Sequence, residues 1–581
     1  MPNTDLSPHA QIAHDLLHGL SGAGQPTVSP DGARVACVVA TVDVDENTTR
    51  SRVWLDGVPL TDGPHDGNPT WSPDGRLLAF TSRRGEKKGD STLHVLPIDG
   101  PGETRTVCTM KDGLGEVTWS PDGRWIAFLS RTRDERYEAE DVSWQAPRKV
   151  DRFFGRLNGE DWVFDRPRHV YVVAADGTGG PRNLTPGGFQ HDDLAWLPDS
   201  GGLIVSAGRH ETWDLDLAVD LHRVPLDGEI VTLTQQTGMY HHAEPSPDGS
   251  WIAFIGIDDA RTYPQNGRVG VMRPDGSERR WISEGLDRTF ATLAGTRRPA
   301  WLDDRTLLAA AEDRGEQHLY RLDLDGGVPV PITSGAITVL GFDVAGGTIA
   351  TAIGRVDRTS EIVVERDGRT EQVTSVSREH RGWERFAAPC TDGSDEIDAW
   401  IMRPTDFDPS QRYPVLLNVH GGPFTQYGEV FFDEAQMQAA AGFVVLMSNP
   451  RGGSGRHTQW GQSIMGPTHP GANGTGWGSV DVDDVLAVLD TAIARYPFCD
   501  PDRVGMLGGS YGGYMATTFA ARHGDRFRAI CSERGVNNLL TEEWSSDIGS
   551  EFQIEHGPDP VADPDEYLRM SPIRLASDIH V

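Results

Sequence analysis

Apolar and polar residues alternate in short runs through the first two-thirds of the chain, and one run keeps returning. PTVSPDGARVACVV begins at Pro26, PTWSPDGRLLAFTS at Pro69 and VTWSPDGRWIAFLS at Val117, with looser copies from Leu194, Ala243, Pro299 and Leu340. Each copy predicts a short strand, a Pro-Asp-Gly turn and a second apolar strand. The turn chemistry is specific: Pro presets φ, Asp bonds its own backbone, and Gly accepts positive φ. A second element lies between the hairpins, a strand ending in Asp-Gly, from Leu93, His169, Leu221, Arg268, His318 and Glu361. A short strand usually follows it. Four strands per unit, in seven units about 40 to 55 residues apart, predict a seven-bladed β-propeller. A β-sandwich of hairpins would have to explain seven registers of one motif. One interval is longer, and Arg131 to Arg168 is an insertion in the third blade, rich in charge and aromatics.

The pattern changes near Arg381. Asp398 to Met402, Val415 to Val419 and Phe443 to Ser448 read as strands. Val482, Val485, Leu486, Leu489 and Ile493 then recur with the period of an amphipathic helix over Val482 to Tyr496. Strand Arg503 to Gly508, a helix from about Gly512 to Arg522 and strand Arg528 to Ser532 follow. Such alternation predicts a doubly wound, mostly parallel sheet covered on both faces. The chain therefore divides into an N-terminal helical segment (1–22), a propeller (23–380) and an α/β domain (381–581). The helix read over Pro8 to Leu20 is expected to pack on the second domain.

Candidate chemistry gathers in that second domain. Gly508-Gly509-Ser510-Tyr511-Gly512 is a G-x-S-x-G match, which is weak alone in a chain with 67 glycines. Its context is stronger, since a strand runs into it and a helix leaves it, as a nucleophile elbow requires. A Cβ two positions before or after the serine would clash in so tight a turn, and Gly508 and Gly512 have none. The helix N-terminus also faces the negative charge that develops on a reacting oxygen. The alternative is a Gly-rich strand-to-helix turn with no chemistry. His420-Gly421-Gly422-Pro423 closes an earlier strand, where a backbone N–H could join that of Tyr511 as an oxyanion donor; an ordinary turn with a packed histidine would look similar. Asn449-Pro450-Arg451-Gly452-Gly453-Ser454-Gly455 ends the next strand, at the edge where open α/β sheets place ligands. His457, His469 and His556 read as surface loop histidines.

HGGPF, NPRGGSG, DRVGMLGGSYGGYMA and SPIRLAS resemble the peptidase domain of the prolyl oligopeptidase family, nearest its acylaminoacyl-peptidase and dipeptidyl-peptidase-like branch. A propeller in front is that family's partner domain, so the resemblance covers nearly the whole chain. It implies an α/β-hydrolase fold with Ser510 as nucleophile and the N–H groups of Gly422 and Tyr511 as oxyanion donors. In the family, the stretch like SPIRLASDIH is followed by a strand carrying the catalytic Asp and later by a loop with the catalytic His. No residue here matches either position, so the hydrolase domain is expected to lack its last strands, and the chain alone to have negligible activity. The expected reaction is serine-type hydrolysis of short peptides through an acyl-enzyme on Ser510. An esterase on the same fold, or an inert propeller-based binding protein, are the alternatives.

Composition narrows the partners. With 53 basic against 86 acidic residues the formal net charge is -33, which argues against nucleic acid and anionic membrane. No run reaches the roughly 18 apolar residues of a membrane helix, and MPNTDLSPHAQIAHDLLHGL has no secretion signal, so the expectation is cytoplasmic. Cys37, Cys108, Cys390, Cys499 and Cys531 are scattered without a CxxC pair, and Cys37 and Cys531 sit in apolar strand-like runs expected to be buried. No disulfide, cofactor or metal is expected. Short peptides are the expected partners, with a second copy of the chain as the other candidate.

Overall fold

The computed structural model describes residues 7–84, 89–100, 102–139, 141–153, 155–157, 161–295, 297–471, 475–557 and 559–579. The repeated hairpins form a propeller of antiparallel sheets. Asp66–Trp71, Leu77–Ser82, Ser91–Pro97 and Arg105–Met110 make one sheet in chain order, and the same order recurs in the sheets that follow. In each full SPDG turn the serine hydroxyl donates to the aspartate two positions on, at 2.6 Å for Ser29, Ser72, Ser120 and Ser246. The tryptophan before the turn does a second job. Its indole N–H reaches back to a main-chain carbonyl of the preceding sheet: Trp71 to Thr27 O, Trp119 to Thr70 O, Trp196 to Thr118 O and Trp301 to Glu244 O, at 3.0–3.3 Å. Apolar layers fill the space between neighbours, as where Val53 and Leu55 meet Leu78 and Phe80.

The first strand of several sheets carries a bulge, with Asn68, Glu116, Asp193 and His242 at φ between 47° and 59°. Two of these residues bond across sheets, Asp193 with His242 at 2.8 Å, and Arg298 pairs with Glu244 at 3.3 Å. Burial pushes Glu116 up to about 7 and His241 down to about 4. The first and last sheets meet through side chains, Gln25 to Phe342 O (2.7 Å), Val28 N to Asp343 (2.7 Å) and Thr348 to Gly32 O (2.8 Å). Beneath them Val35, Cys37, Ala350, Ala352 and Ile362 share one apolar layer. The long insertion holds two short 3-10 turns and a two-residue hairpin, Arg156–Leu157 with Asp161–Trp162.

The second part is a six-stranded sheet. Its spatial order is Glu384–Pro389, Glu396–Met402, Val444–Asn449, Tyr413–Val419, Cys499–Gly509 and Ala529–Glu533. The last four strands run parallel, and the first two are antiparallel. Val480–Arg495 and Tyr511–Arg522 are the two long helices, and both pack into the main core with Val485, Leu489, Met515 and Phe519. Ala529–Glu533 is the edge strand among the described residues, and Cys531 on it is exposed. That corrects its expected burial, since an apolar run does not tell a central strand from an edge. Cys37 is buried, and burial holds its thiol up at about 12.

The N-terminal helix is Pro8–Leu17, capped by Ser7 and three residues shorter than expected. It lies against the hydrolase-side helix Asp433–Ala440, and Arg378 donates to its last carbonyls, Asp15 O and Leu16 O. The propeller in turn enters the second domain by one hairpin tip. Gly315 N donates to Gln426 (2.8 Å), Glu429 N to Gly315 O (2.6 Å), and Arg314 grips Asp398 (2.9–3.2 Å). Arg385 and Arg456 hold the same carboxylate at 2.8–3.0 Å. Burial alone would push Asp398 up, but the three guanidinium groups outweigh it and leave its carboxyl below the usual range.

Candidate active site

Ser510 stands between the strand Cys499–Gly509 and the helix Tyr511–Arg522 with φ 58° and ψ −119°. A left-handed serine is strained, and this one is held by its surroundings. Its N–H donates to Glu533 O on the edge strand (3.0 Å), and its carbonyl accepts from Tyr514 N (2.9 Å). A Cβ on Gly508 would stand 2.6 Å from Gly512 O, and one on Gly512 would run into Val419 O. Glycine is therefore required on both flanks. The elbow leaves Ser510 half-buried at the carboxyl end of the sheet.

The His420-Gly421-Gly422-Pro423 turn lies directly opposite. A Cβ built on Gly421 would be 3.5 Å from the Ser510 Cβ, and Gly422 has φ 117°. His420 is buried, its Nδ1 shared between Gly421 O (2.7 Å) and Thr425 Oγ1 (3.0 Å). Burial holds its ring below the usual histidine range, so it is a neutral packing group of the turn. Tyr511 is anchored downwards: its hydroxyl donates to Asp481 at 2.6 Å, and Trp477 packs edge-on at 4.8 Å. As the first helical residue it has a backbone N–H without an intrahelical acceptor, beside Ser510. Burial, then Asp481, raises the Tyr511 phenol well above its ordinary value, so it stays protonated.

The Asn449–Gly455 loop is braced from both domains. Asn449 clasps Tyr427 N and O at 2.8 Å each. Arg451 forms a fork with Asp484 (2.7–2.9 Å) and also meets Asp392 (2.5 Å), contacts that hold its guanidinium protonated against burial. Ser454 donates to Glu312 of the propeller, whose carboxyl burial pushes up to about 7. Phe424, Ser454, Glu312, Tyr263 and His241 border a cavity of about 330 Å³ on the seam between the domains. A wider cleft of about 700 Å³ lies between Phe153 and Trp162 of the blade insertion and the exposed Trp544.

Two histidines depart from the sequence expectation. His469 and His556 are buried, and His556 closes the helix Gly549–His556. Its Nδ1 lies 3.1 Å from Glu543, with burial pushing His556 down to about 3 and Glu543 up to about 8. The pair is thus neutral, with the His556 ring packed on Trp477. His457 is exposed and caps a short helix. Among the described residues, none hydrogen-bonds to the Ser510 hydroxyl. Sequence reasoning missed Asp481 and Trp477; the only signal was an acid in the first turn of the helix after Gly476-Trp477-Gly478.

A strained serine between strand and helix, faced by a glycine turn and fronted by a propeller, defines a serine hydrolase with a propeller before its site. Residues 429–580 match the prolyl oligopeptidase family. The peptidase YuxL of Bacillus subtilis is 28% identical over 98% of this chain and 89% of its own length. Dipeptidyl-peptidase 5 of Porphyromonas gingivalis is 25% identical over 95% and 84%. The acylaminoacyl peptidase of Pyrococcus horikoshii shares the fold, with a TM-score of 0.80 at 22% identity over 97% of this chain and 86% of that one. The matched family and these relatives are all peptidases. No helix among the described residues is long and apolar enough to cross a membrane.

Proposed function

We propose that Ser510 attacks the carbonyl of a short peptide and forms an acyl-enzyme that water resolves. The N–H groups of Gly422 and Tyr511 receive the oxyanion in this reading. The observation that carries it is the left-handed Ser510 held between two glycines that admit no Cβ. The propeller is read as seven blades, because the eight-stranded sheet divides into two fours at its single parallel pair, Gln317 with Thr338. With the boundaries at 22 and 380, it limits access, so that acylaminoacyl or dipeptidyl substrates reach Ser510 and folded proteins do not.

The base and its orienting carboxylate come from outside the described residues in this proposal. A serine hydroxyl without a base is a poor nucleophile, and oxyanion donors alone leave roughly a thousandfold advantage over water. A polypeptide of residues 1–581 is therefore expected to turn over aminoacyl nitroanilides only marginally. The test is hydrolysis of such a nitroanilide, and of a simple fatty ester, by residues 1–581 and by a form extended to its relatives' length, each against Ser510→Ala. Expected is Ser510-dependent peptide turnover in the extended form only, lost by several powers of ten in the variant. Equal turnover in Ser510→Ala would move the chemistry elsewhere, and ester preference would favour an esterase.

A further inference from the structure

The N-terminal helix carries a side-chain cluster far in sequence from the serine site. His14, in the last turn of the helix, and His18, its C-cap, are four residues apart, so both rings come to the same side of the helix end. The rings stack with centroids 5.3 Å apart and planes within 5°. Asp45, in the turn between the strands Val35–Asp43 and Thr48–Leu55 of the first propeller sheet, faces them. The ligand atoms of His14, His18 and Asp45 all lie within 4.8 Å of one another, a grouping with no second example among the described residues.

The details favour an ion over a simple surface pair. His14 Nε2 stands 3.5 Å from Asp45 Oδ1, close to the edge of about 3.3 Å in a tetrahedron with bonds of about 2.0–2.1 Å. The other nitrogen, Nδ1, lies 3.4 Å from Asp15, which is itself fixed by Gln11 at 2.6 Å. A carboxylate behind the far nitrogen is how metal-bound imidazoles are oriented. Asp43 adds negative charge nearby, though its oxygens are taken by Glu46 N (3.1 Å) and Arg50 (3.1 Å).

We propose that His14, His18 and Asp45 bind one first-row divalent cation of the zinc, cobalt or nickel kind. Two imidazoles and one carboxylate suit such borderline ions, and water completes the shell. The ion would join the helix, which lies against Asp433–Ala440, to the turn between Val35–Asp43 and Thr48–Leu55 of the first propeller sheet. It thus acts as a clamp between the two halves of the molecule.

The test uses the tag-free chain stripped with EDTA and titrated with Co²⁺ by visible spectroscopy and with Zn²⁺ by calorimetry. One equivalent is expected to bind, with the d–d band of a four-coordinate nitrogen–oxygen site. His18→Ala and Asp45→Asn, both at exposed positions, should each weaken binding roughly tenfold or more. His65→Gln, an exposed histidine elsewhere, should leave it unchanged. Zinc should also slow hydrogen exchange across Pro8–Leu17 in the wild type and not in His18→Ala. Equal affinity in all variants, or no binding with metal in large excess, would overturn the proposal.

Discussion

The propeller and the hydrolase domain are stabilised in opposite ways. In the propeller each device recurs: a serine on the turn aspartate, a tryptophan on the previous sheet, an apolar layer between neighbours. No single copy is special, and apart from the seam where the first and last sheets meet, the bonds between blades named above lie within one or two repeats along the chain. In the hydrolase domain the features occur once. One left-handed serine, one fork from Arg451 to Asp484 and one carboxylate gripped by three arginines each join distant segments. Repetition spreads stability thinly, whereas the functional domain concentrates it at a few points that tolerate no change.

The sharpest way to break that contrast is at the elbow. Gly512→Ala places a Cβ against Val419 O with rigid backbone on both sides, so a loss of 3 kcal/mol or more is expected, on the order of the largest single-site effects. Soluble yield and fluorophosphonate labelling of Ser510 would report it, and wild-type behaviour would show the turn to be looser than described. Next comes Asp398→Ala, which leaves the guanidinium groups of Arg314, Arg385 and Arg456 without their shared partner. A cost of about 3–5 kcal/mol is expected, read as a lower urea midpoint, with the propeller hairpin released first. A change under about 1 kcal/mol would mean that water replaces the carboxylate at no loss.

Glu312 gives a smaller effect with a definite sign. Its carboxyl is raised from 4.5 to about 7, so the folded chain keeps this proton after the unfolded chain has lost it. Its contribution to stability is complete below 4.5 and is lost as pH rises towards 7. Glu312→Gln should therefore be more stable than wild type at pH 8, by on the order of 1–3 kcal/mol, and equal to it near pH 4. Thermal melts at both pH values decide it; a gain at pH 4 alone would refute the assignment. The smallest effect belongs to the repeats. Trp119→Phe removes one bond to Thr70 O and should cost about 1 kcal/mol in denaturant titration. A cost as large as that of Asp398→Ala would erase the contrast between the domains.

The same contrast decides what could be read from the chain. The propeller was legible because its turn signal recurs at regular spacing, and the elbow because G-x-S-x-G sat between an apolar strand and a helix. Features made by a single long-range meeting left no local trace. Glu312 and Ser454 are 142 positions apart, and neither has a neighbour in sequence that announces the other. His556 reads as a surface loop histidine in the sequence, yet it closes a helix and its burial comes from packing against Trp477 and Phe552. The His14–His18 spacing was visible but silent, since its third member arrives from a turn in another element.

The backward reach of the propeller tryptophans has a bearing on how the molecule is made. Thr27, Thr70 and Thr118 each precede the indole that binds them, by 44, 49 and 78 residues. During synthesis each blade that carries such a tryptophan meets an acceptor that has already left the ribosome, so growth of the ring can be largely vectorial, one docking step at a time. Only the joint between Gln25 or Val28 and the strand near Phe342 must wait, across more than three hundred residues, for the far end to arrive. That late seam, rather than any blade, is where a nascent chain stays exposed to misassembly.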